Sequence, residues 1–225
     1  MKAKRTVAAV TKVLICALLL FITLFPIYWL VAMGIRPTDE MKGHISLIPQ
    51  TLTAINFVEL FSSKGFSTAI VNSLQTTFGS LFISLAVGIC AAYVIARHRF
   101  RFGLKKPMTY WILLVRVLPP VAFTIPLYIM FNKLGILNTK LPVLLACVLI
   151  NVPLIIWFLI SFFQDLPEEI EESAKIDGAT EWQLFRKIVL PLVAPGIAAV
   201  AMLSFMYAWN EYTYTVIFTR TASNS

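Results

Sequence analysis

The sequence predicts an all-α protein that forms a polytopic helical bundle in a membrane. Of its 225 residues, 59% are hydrophobic and only 13% are charged, and the mean hydropathy is +0.82. Soluble domains carry about 45–50% apolar and about 25% charged residues. Because so few charged side chains cannot cover a water-soluble fold of this size, lipid must replace water around most of its perimeter. At about 20 residues per span, five or six spans would use up the chain and leave no room for a separate catalytic domain.

Five stretches are predicted to be spans. Four of them contain no charged residue, and each exceeds the roughly 20 residues needed to cross about 30 Å of hydrocarbon: residues 13–35, 65–96, 141–164 and 188–210. A fifth stretch, residues 107–132, is interrupted only by Arg116, a charge that a helix facing protein or water tolerates. Within this stretch, Pro119 and Pro120 break the helix and free backbone carbonyls, which must then face protein or water.

Lysine and arginine residues are distributed unevenly between the segments outside the spans. The N-terminal arm, residues 97–107 and residues 165–187 together contain twelve of them, and the alternate segments contain six. Under the positive-inside rule, the segments with the basic excess face the cytoplasm. We therefore expect a multi-pass protein of the cytoplasmic membrane with its N-terminus inside. The net charge of +8 is then a membrane signature and does not indicate a nucleic-acid partner.

Residues 165–181 have a different character from the other segments predicted to lie inside. They contain seven of the eleven acidic residues of the chain, offset only by Lys175. Pro167 suits the first turn of a helix, and Gly178 suits its C-terminal stop. Thr180 and Gln183 have the spacing of a capping box, which predicts a second helix. An amphipathic connector lying on the membrane surface would hold these carboxylates beside an anionic leaflet, where like charges repel. A protruding helix pair that docks on another protein is therefore favoured.

This helix pair resembles the EAA motif, EAA-x3-G-x9-I-x-LP, of ABC importer permeases. The matching residues are Glu172-Ser173-Ala174, Gly178 and Ile188-Val189-Leu190-Pro191, with one serine in place of an alanine. Residues 117–139, IDGA at 176–179, LPLVAPGIAA at 190–199 and AWNEY at 208–212 are similar to the carbohydrate-uptake, maltose-type branch. The chain thus resembles the inner membrane component of a binding-protein-dependent transport system, with the type I importer permease (MetI-like) fold.

The resemblance implies a transport subunit that works with several partners. It implies half of a translocation path for a sugar or oligosaccharide, shared as a heterodimer with a second permease subunit, in a bacterial or archaeal cytoplasmic membrane. A dimer of cytoplasmic ATP-binding subunits and an extracytoplasmic solute-binding protein complete the system. The sequence has no GxxxxGK phosphate loop, so we expect ATP hydrolysis in a partner chain and no catalytic residue here.

The same resemblance assigns residues 165–191 as the loop that couples the permease to the ATPase. Its expected coupling residues are Glu172, Ser173, Ala174, Asp177, Gly178, Ala179, Ile188, Leu190 and Pro191. Among them, Ser173 and Ala174 are expected to keep the helix face small enough for close approach of the ATPase subunit. No cofactor is expected. The three cysteines lie in apolar stretches without CxxC spacing, which predicts buried packing thiols and no metal site.

Five polar residues are candidates for the translocation path: Arg116, Asn72, Gln75, Asn210 and Glu211. Arg116 either pairs with groups inside the bundle or lines a path. Asn72 and Gln75 belong to a polar cluster that interhelical hydrogen bonding explains as well as solute contact does. Asn210 and Glu211 lie near the outer end of the last predicted span, beside an aromatic residue. Such a group suits sugar recognition, and it also suits anchoring at the membrane interface.

Other functions are weaker alternatives. An ion-coupled secondary transporter would carry acidic or histidine relays inside its spans, and only Glu211 lies in or near one. An intramembrane enzyme would need clustered His, Asp or Cys, which the sequence lacks. A third alternative is a permease for a different small solute, such as an amino acid or phosphate. Only the similarity of the flanking segments to the carbohydrate-uptake branch argues against it.

The resemblance also sets expectations for the domains. Residues 1–64 are expected to form the N-terminal span and its external segment, and residues 65–225 the permease core. Permeases of this kind are similar in having six spans, whereas five are predicted here. We therefore expect the sixth span to be missing, through truncation at the C-terminus.

Overall fold

The computed structural model describes residues 2–42, 46–97 and 105–219. Throughout these ranges the regular secondary structure is helical, with a 3₁₀ turn at Thr38–Lys42 and a π-helical segment at Phe185–Val189. The α-helices are α1 (Lys2–Gly34), α2 (Ile55–Ser62), α3 (Lys64–Arg97), α4 (Lys105–Val117), α5 (Pro120–Lys133), α6 (Leu141–Gln164), α7 (Glu168–Ile176), α8 (Glu181–Leu184), α9 (Leu190–Trp209) and α10 (Thr213–Phe218).

Four helical stretches in the described part of the chain are long and apolar enough to cross a membrane. They are Ala9–Gly34, Gly65–Arg97, Leu141–Gln164 and Glu181–Trp209, and they correspond to the first, second, fourth and fifth predicted spans. The last of them is longer than predicted, because α8, the π-helical segment and α9 run on without interruption.

The third predicted span, residues 107–132, consists of two helices, α4 and α5, which are 13 and 14 residues long. They are separated at Pro119, whose extended backbone has a ψ of 137°. Proline lacks the N–H that would continue α4, so the predicted break lies where the ring geometry requires it. The carbonyl of Pro120, at the start of α5, accepts a hydrogen bond from the Tyr214 hydroxyl at 2.9 Å. This bond holds α10 at the break between α4 and α5.

The contacts divide the chain into two units, Met1–Thr68 and Ala69–Ser225. In the first unit, the segment after α1 is organised around Arg36, whose side chain is fully buried. Its Nη2 donates to the carbonyl of Ser46 at 2.7 Å, and its Nε lies 3.6 Å from Glu40. Glu40 in turn accepts hydrogen bonds from the hydroxyl and the backbone N–H of Thr51. The bond from the Thr51 hydroxyl is the largest influence on the pKa of Glu40 and lowers it.

In the second unit, α6 is the central helix and packs against α4, α5, α9 and α10. It is apolar all round, as expected for a helix surrounded by others. Two glycines allow close approach to it. A β-carbon at Gly88 of α3 would lie 2.5 Å from Ile155, and one at Gly196 of α9 would lie 2.5 Å from Phe162. Small residues at helix contacts are typical of membrane bundles.

The prediction of buried cysteines is correct for only one of the three. Cys147 of α6 is buried, whereas Cys16 of α1 and Cys90 of α3 are exposed. The reason is that the two exposed thiols lie on apolar helix faces that the chain itself leaves uncovered. In a membrane such faces meet lipid or another subunit, so an apolar setting in the sequence does not require burial within the chain.

Candidate functional site

The acidic segment forms α7 at one end of the second unit. The helix begins at Glu168, and Pro167 lies immediately before it in an extended conformation with a ψ of 131°. The sequence prediction placed Pro167 in the first turn, and the structure shifts it to the capping position. Three glutamates, Glu168, Glu169 and Glu171, occupy the first turn, where they interact favourably with the positive end of the helix dipole.

The turn after α7 is a Schellman motif centred on Gly178. The N–H of Gly178 donates to the carbonyl of Lys175 at 3.1 Å, and the N–H of Ala179 donates to the carbonyl of Ala174 at 3.0 Å. Gly178 has a φ of +84°, a conformation that side chains disfavour. A β-carbon there would meet nothing within 4 Å. The turn therefore needs glycine for its backbone conformation and not for internal space.

The predicted capping box of α8 is present. The Thr180 hydroxyl accepts from the N–H of Gln183 at 3.3 Å, and the Gln183 side chain accepts from the N–H of Thr180 at 3.0 Å. The helix then passes through the π-helical segment into α9, where the N–H of Leu190 donates to the carbonyl of Phe185. Pro191 follows directly. Its ring would clash with the carbonyl four residues earlier in a regular helix, and the wider π turn relieves that clash.

The surface of α7 and the turn combines acidic and apolar side chains. Ile176 is 86% exposed and Trp182 is 64% exposed, and both lie close in sequence to the exposed Glu172. Lys175 forms an exposed ion pair with Glu181 at 2.8 Å. The hydrogen bond to Glu181 raises the pKa of Lys175. Large apolar side chains left uncovered beside charges are characteristic of a surface that another protein covers.

The nine predicted coupling residues fall into two groups. Five are exposed: Glu172, Ser173, Asp177, Gly178 and Pro191. The other four are buried or partly buried against the main core: Ala174, Ala179, Ile188 and Leu190.

Ala174 requires a correction. We expected its small side chain to allow close approach of a partner to the helix face. The side chain is instead only 7% exposed and packs inside this chain. The motif therefore also specifies how the loop packs on its own bundle.

The sequence analysis missed Glu171, which neighbours the motif and is 9% exposed. Its carboxylate accepts from Arg97 Nε at 2.6 Å and from the Tyr93 hydroxyl at 3.1 Å. Arg97 also donates through Nη2 to the carbonyl of Leu166 at 2.8 Å. Both charges are visible in the sequence, but Arg97 and Glu171 are 74 positions apart, and no local spacing rule connects them.

Asn210 and Glu211 line one cleft of about 510 Å³ in the second unit. The Asn210 amide donates to the carbonyl of Met206 at 2.8 Å. The Glu211 carboxylate caps α10 by accepting from the N–H groups of Tyr214 at 2.8 Å and Thr215 at 3.1 Å. The other residues that line the cleft are Pro120, Leu154, Leu203, Met206, Tyr207, Tyr212 and Thr213.

Two of the remaining path candidates, Asn72 and Gln75, are not among the described residues that line this cleft. Asn72 is buried in α3. Gln75 is exposed on α3 and accepts a hydrogen bond from Lys140 at 2.5 Å. Arg116 lies at the penultimate position of α4, and its side chain is outside the described part of the structure. The structure thus brings together two of the five predicted residues, Asn210 and Glu211.

Comparison with known proteins gives consistent matches. The family described as "Binding-protein-dependent transport system inner membrane component" matches residues 84–221. The chain is 33% identical over 198 residues to the trehalose transport system permease protein SugB of Mycobacterium tuberculosis, covering 88% of this chain and 71% of that protein. It is 30% identical over 212 residues to the diacetylchitobiose uptake system permease protein DasC of Streptomyces coelicolor, covering 93% and 76%.

A solved structure confirms the predicted fold class. It is that of a bacterial ABC transporter involved in the import of the acidic polysaccharide alginate. One of its chains matches with a TM-score of 0.82 and 22% identity, over 99% of this chain and 78% of that one.

Proposed function

Because the chain belongs to the family of binding-protein-dependent transport system inner membrane components, we propose that it is the permease subunit of an ATP-driven importer for a sugar or an oligosaccharide. The exposed α7–turn–α8 segment is the observation that carries this proposal. It exposes Ile176, Trp182 and Glu172 within a short stretch of the sequence, and exposed apolar side chains on short helices suit docking into a cleft of another protein. The two relatives are named for the transport of trehalose and the uptake of diacetylchitobiose, which supports a carbohydrate as the solute.

The proposed role of residues 165–191 is mechanical. An ATPase subunit receives the α7–turn–α8 segment, and closure of the ATPase pair on ATP moves that segment as a rigid body. Of the nine coupling residues, Glu172, Ser173, Asp177, Gly178 and Pro191 are exposed enough to contact the partner. Ala174, Ala179, Ile188 and Leu190 instead hold the segment on its own bundle.

The proposed assembly contains a second permease subunit, a pair of ATP-binding subunits and an extracytoplasmic solute-binding protein in a lipid membrane. Apolar side chains left uncovered on α9, such as Met202 at 68% exposure and Leu192 at 48%, support a second subunit or lipid there. The basic excess supports an N-terminus and an α7–α8 end that face the cytoplasm.

The proposed translocation path includes the cleft with Asn210 and Glu211. Tyr207 and Tyr212 supply aromatic surface there, and Asn210 supplies an amide, which together suit the apolar faces and hydroxyls of a sugar. Glu211 contributes by holding α10 in place. Asn72, Gln75 and Arg116 stay path candidates through their positions in α3 and α4.

The test is reconstitution with the neighbouring subunits in lipid vesicles. Each candidate solute is added with its binding protein, and uptake and ATP hydrolysis are measured together. We expect a sugar or oligosaccharide to stimulate both. Uptake driven by an ion gradient without ATP hydrolysis would refute the importer, and stimulation only by an amino acid or phosphate would refute the carbohydrate class.

A pair of matched variants tests the docking surface. Ile176→Ser removes the most exposed apolar side chain of the turn, and we expect less ATPase to co-purify with the permease. Val216→Ser on α10 removes a side chain that is 48% exposed and should leave co-purification unchanged. Equal retention of the ATPase by both variants would contradict the proposed surface.

A second pair tests the cleft. Asn210→Ala should raise the solute concentration needed for half-maximal uptake without changing ATPase co-purification. Asn132→Ala, at an exposed position of α5 that does not line the cleft, is the comparison. An unchanged concentration dependence in Asn210→Ala would argue against solute contact at this position.

A further inference from the structure

We propose that Glu171 is a positioning residue that ties the coupling helix α7 to the end of α3, so that one displacement of the coupling segment drives two spans. This inference rests on the proposed docking of the α7–turn–α8 segment on an ATPase. In it, α9 moves because the chain is continuous, and α3 moves because Arg97 and Tyr93 hold the Glu171 carboxylate.

Three hydrogen bonds link the end of α3 to α7 and the segment before it, and two of them are made by Glu171. Arg97 Nε donates to one carboxylate oxygen at 2.6 Å, and the Tyr93 hydroxyl donates to the other at 3.1 Å. Arg97 uses a second nitrogen for the carbonyl of Leu166 at 2.8 Å, just before α7 begins. The planar guanidinium serves two acceptors at once, which a lysine ammonium does less well. One residue at the end of α3 therefore holds both the entry and the first turns of α7.

The setting of this pair differs from that of a surface ion pair. The side chains of Arg97 and Glu171 are 13% and 12% exposed, and the Tyr93 ring packs on Phe163 and Phe185 with centroids 5.5 and 4.9 Å apart. Solvent screens such a pair weakly, and its geometry is held by the surrounding packing. The pair is therefore suited to transmit a displacement from α7 to α3. In an exposed pair, the long side chains would change conformation instead of moving the helix.

The packing around the pair also joins α7 to α3. Ala174, one turn beyond Glu171, is buried in the same core cluster as Ala92 and Ala96 of α3. Burial in one apolar core resists the separation of the two helices but does little to prevent sliding. The directional hydrogen bonds of Glu171, in contrast, fix the register of α7 along α3.

The second connection, to α9, is covalent and independent of Glu171. The capping box starts α8, and the helix continues through the π-helical segment into α9. Leu184 and Val189 of this connection are 0% and 1% exposed. Loss of the Glu171 contacts would leave α9 coupled to α7 and release α3, which predicts a change in coupling efficiency and not only in stability.

The exposed pair Lys42–Asp39 is a control that lies outside the docking segment. Its charged atoms are 3.4 Å apart, and its side chains are 74% and 95% exposed. Exposed pairs contribute little to rigidity. Asp39→Asn therefore removes a carboxylate charge from an ion pair without touching the docking segment or the contact between α7 and α3.

The experiment uses the full transporter, reconstituted with its ATPase, second permease and binding protein. Uptake and ATP hydrolysis are measured in the same vesicles for wild type, Glu171→Gln, Glu171→Ala and Asp39→Asn. We expect the uptake per ATP hydrolysed to fall by roughly fivefold or more in Glu171→Ala, the lower end of the usual range for coupling between distant sites. Glu171→Gln, which still accepts hydrogen bonds, should fall less, and Asp39→Asn should equal wild type.

A distance measurement provides a second readout that does not depend on turnover. Spin labels are placed at the exposed positions Val94 of α3 and Glu168 of α7, with Cys16 and Cys90 replaced by serine. We expect the distance between the labels to stay narrow in wild type with and without trapped nucleotide, and to broaden or shift on nucleotide binding in Glu171→Ala.

The outcomes separate this inference from the proposed function. An inactive wild type with every sugar-loaded binding protein would overturn the proposed function and this inference with it. An active wild type in which Glu171→Ala keeps both its uptake per ATP and its label distance would overturn the positioning role alone. Equal losses of uptake and hydrolysis, with a constant ratio, would do the same, because a purely structural role lowers both together. If Glu171→Ala fails to assemble, Glu171→Gln decides the matter by the same ratio.

Discussion

Substitutions at Gly178 separate two reasons why the turn after α7 carries glycine, its backbone conformation and its exposed surface. Its φ of +84° lies in the left-handed region, where a β-carbon costs about 1–2 kcal/mol. A β-carbon there would meet no other atom within 4 Å, so no clash adds to this cost. Gly178→Ala should therefore lower the population of the ordered turn by roughly 5- to 30-fold, the factor that corresponds to 1–2 kcal/mol.

Asparagine and aspartate adopt the left-handed conformation more readily than alanine does. Gly178→Asn should therefore recover much of the lost turn stability. Gly178→Asp has nearly the same shape and adds a negative charge beside Asp177. Nothing within the chain crowds this position. A loss of coupling that is specific to aspartate, with hydrogen exchange of the turn equal to that of Gly178→Asn, therefore comes from a partner surface and not from repulsion by Asp177.

The assay compares the three variants in vesicles with the ATPase and the solute-loaded binding protein. Turn stability is followed by hydrogen exchange of residues 168–184, and coupling by uptake per ATP hydrolysed. We expect alanine to increase exchange most, and aspartate to leave the protein inserted while it uncouples transport from ATP hydrolysis.

Two results would refute the reasoning. Exchange in Gly178→Ala equal to that of wild type would mean that the backbone conformation does not require glycine. Transport by Gly178→Asp equal to that of Gly178→Asn would mean that the turn does not face a charged or tightly fitted partner surface.

Three further predictions follow from local geometry. Thr180→Ala removes the capping box, so it should destabilise the start of α8 by about 1 kcal/mol; hydrogen exchange should rise there, and Thr180→Ser should behave as wild type. Gly196→Ala places a β-carbon 2.5 Å from a ring of α6 and should lower the thermal unfolding temperature, corresponding to about 1–3 kcal/mol of overpacking. Gly65→Ala, where space is open, should have no such effect, and equal unfolding temperatures would contradict the assigned contact. The Thr51 hydroxyl lowers the pKa of Glu40. The contribution of the Glu40–Thr51 bond to folding is therefore fully present above the ordinary carboxyl pKa, and it is lost as the pH falls through the lowered pKa of Glu40. Protease cleavage within residues 37–53 should therefore rise only in acid, and at a higher pH in Thr51→Val; identical profiles would argue against the bond.

The features that the sequence predicted correctly depend on residues close together in the chain. Long uncharged stretches predict spans because crossing the hydrocarbon requires a minimum length of apolar helix. Thr180 and Gln183 predict a capping box because a side chain reaches only the backbone three residues away. Pro119 predicts the break between α4 and α5 because its ring excludes a regular helix there. The EAA-like spacing identified the family, since its glycine and proline positions reflect the same local constraints.

Features that depend on contacts between distant segments were not predictable in this way. Ala174 was expected on a partner-facing surface and is buried, because the orientation of α7 on the bundle depends on what it packs against. Among the path candidates, Asn210 and Glu211 share a cleft whereas Gln75 lies elsewhere. Polarity within a span indicates only that a residue has a partner, and not whether the partner is solute, backbone or another helix.

The sequence by itself therefore determined the class of the protein, its helical segments, its glycine turn and its family. Only the tertiary structure decided which helices meet, and through which side chains. The Arg97–Glu171 contact illustrates the difference, since 74 positions separate its partners. Local rules extend over about one helical turn, whereas the meeting of these two charges depends on the packing of α3, α6 and α7 into one core.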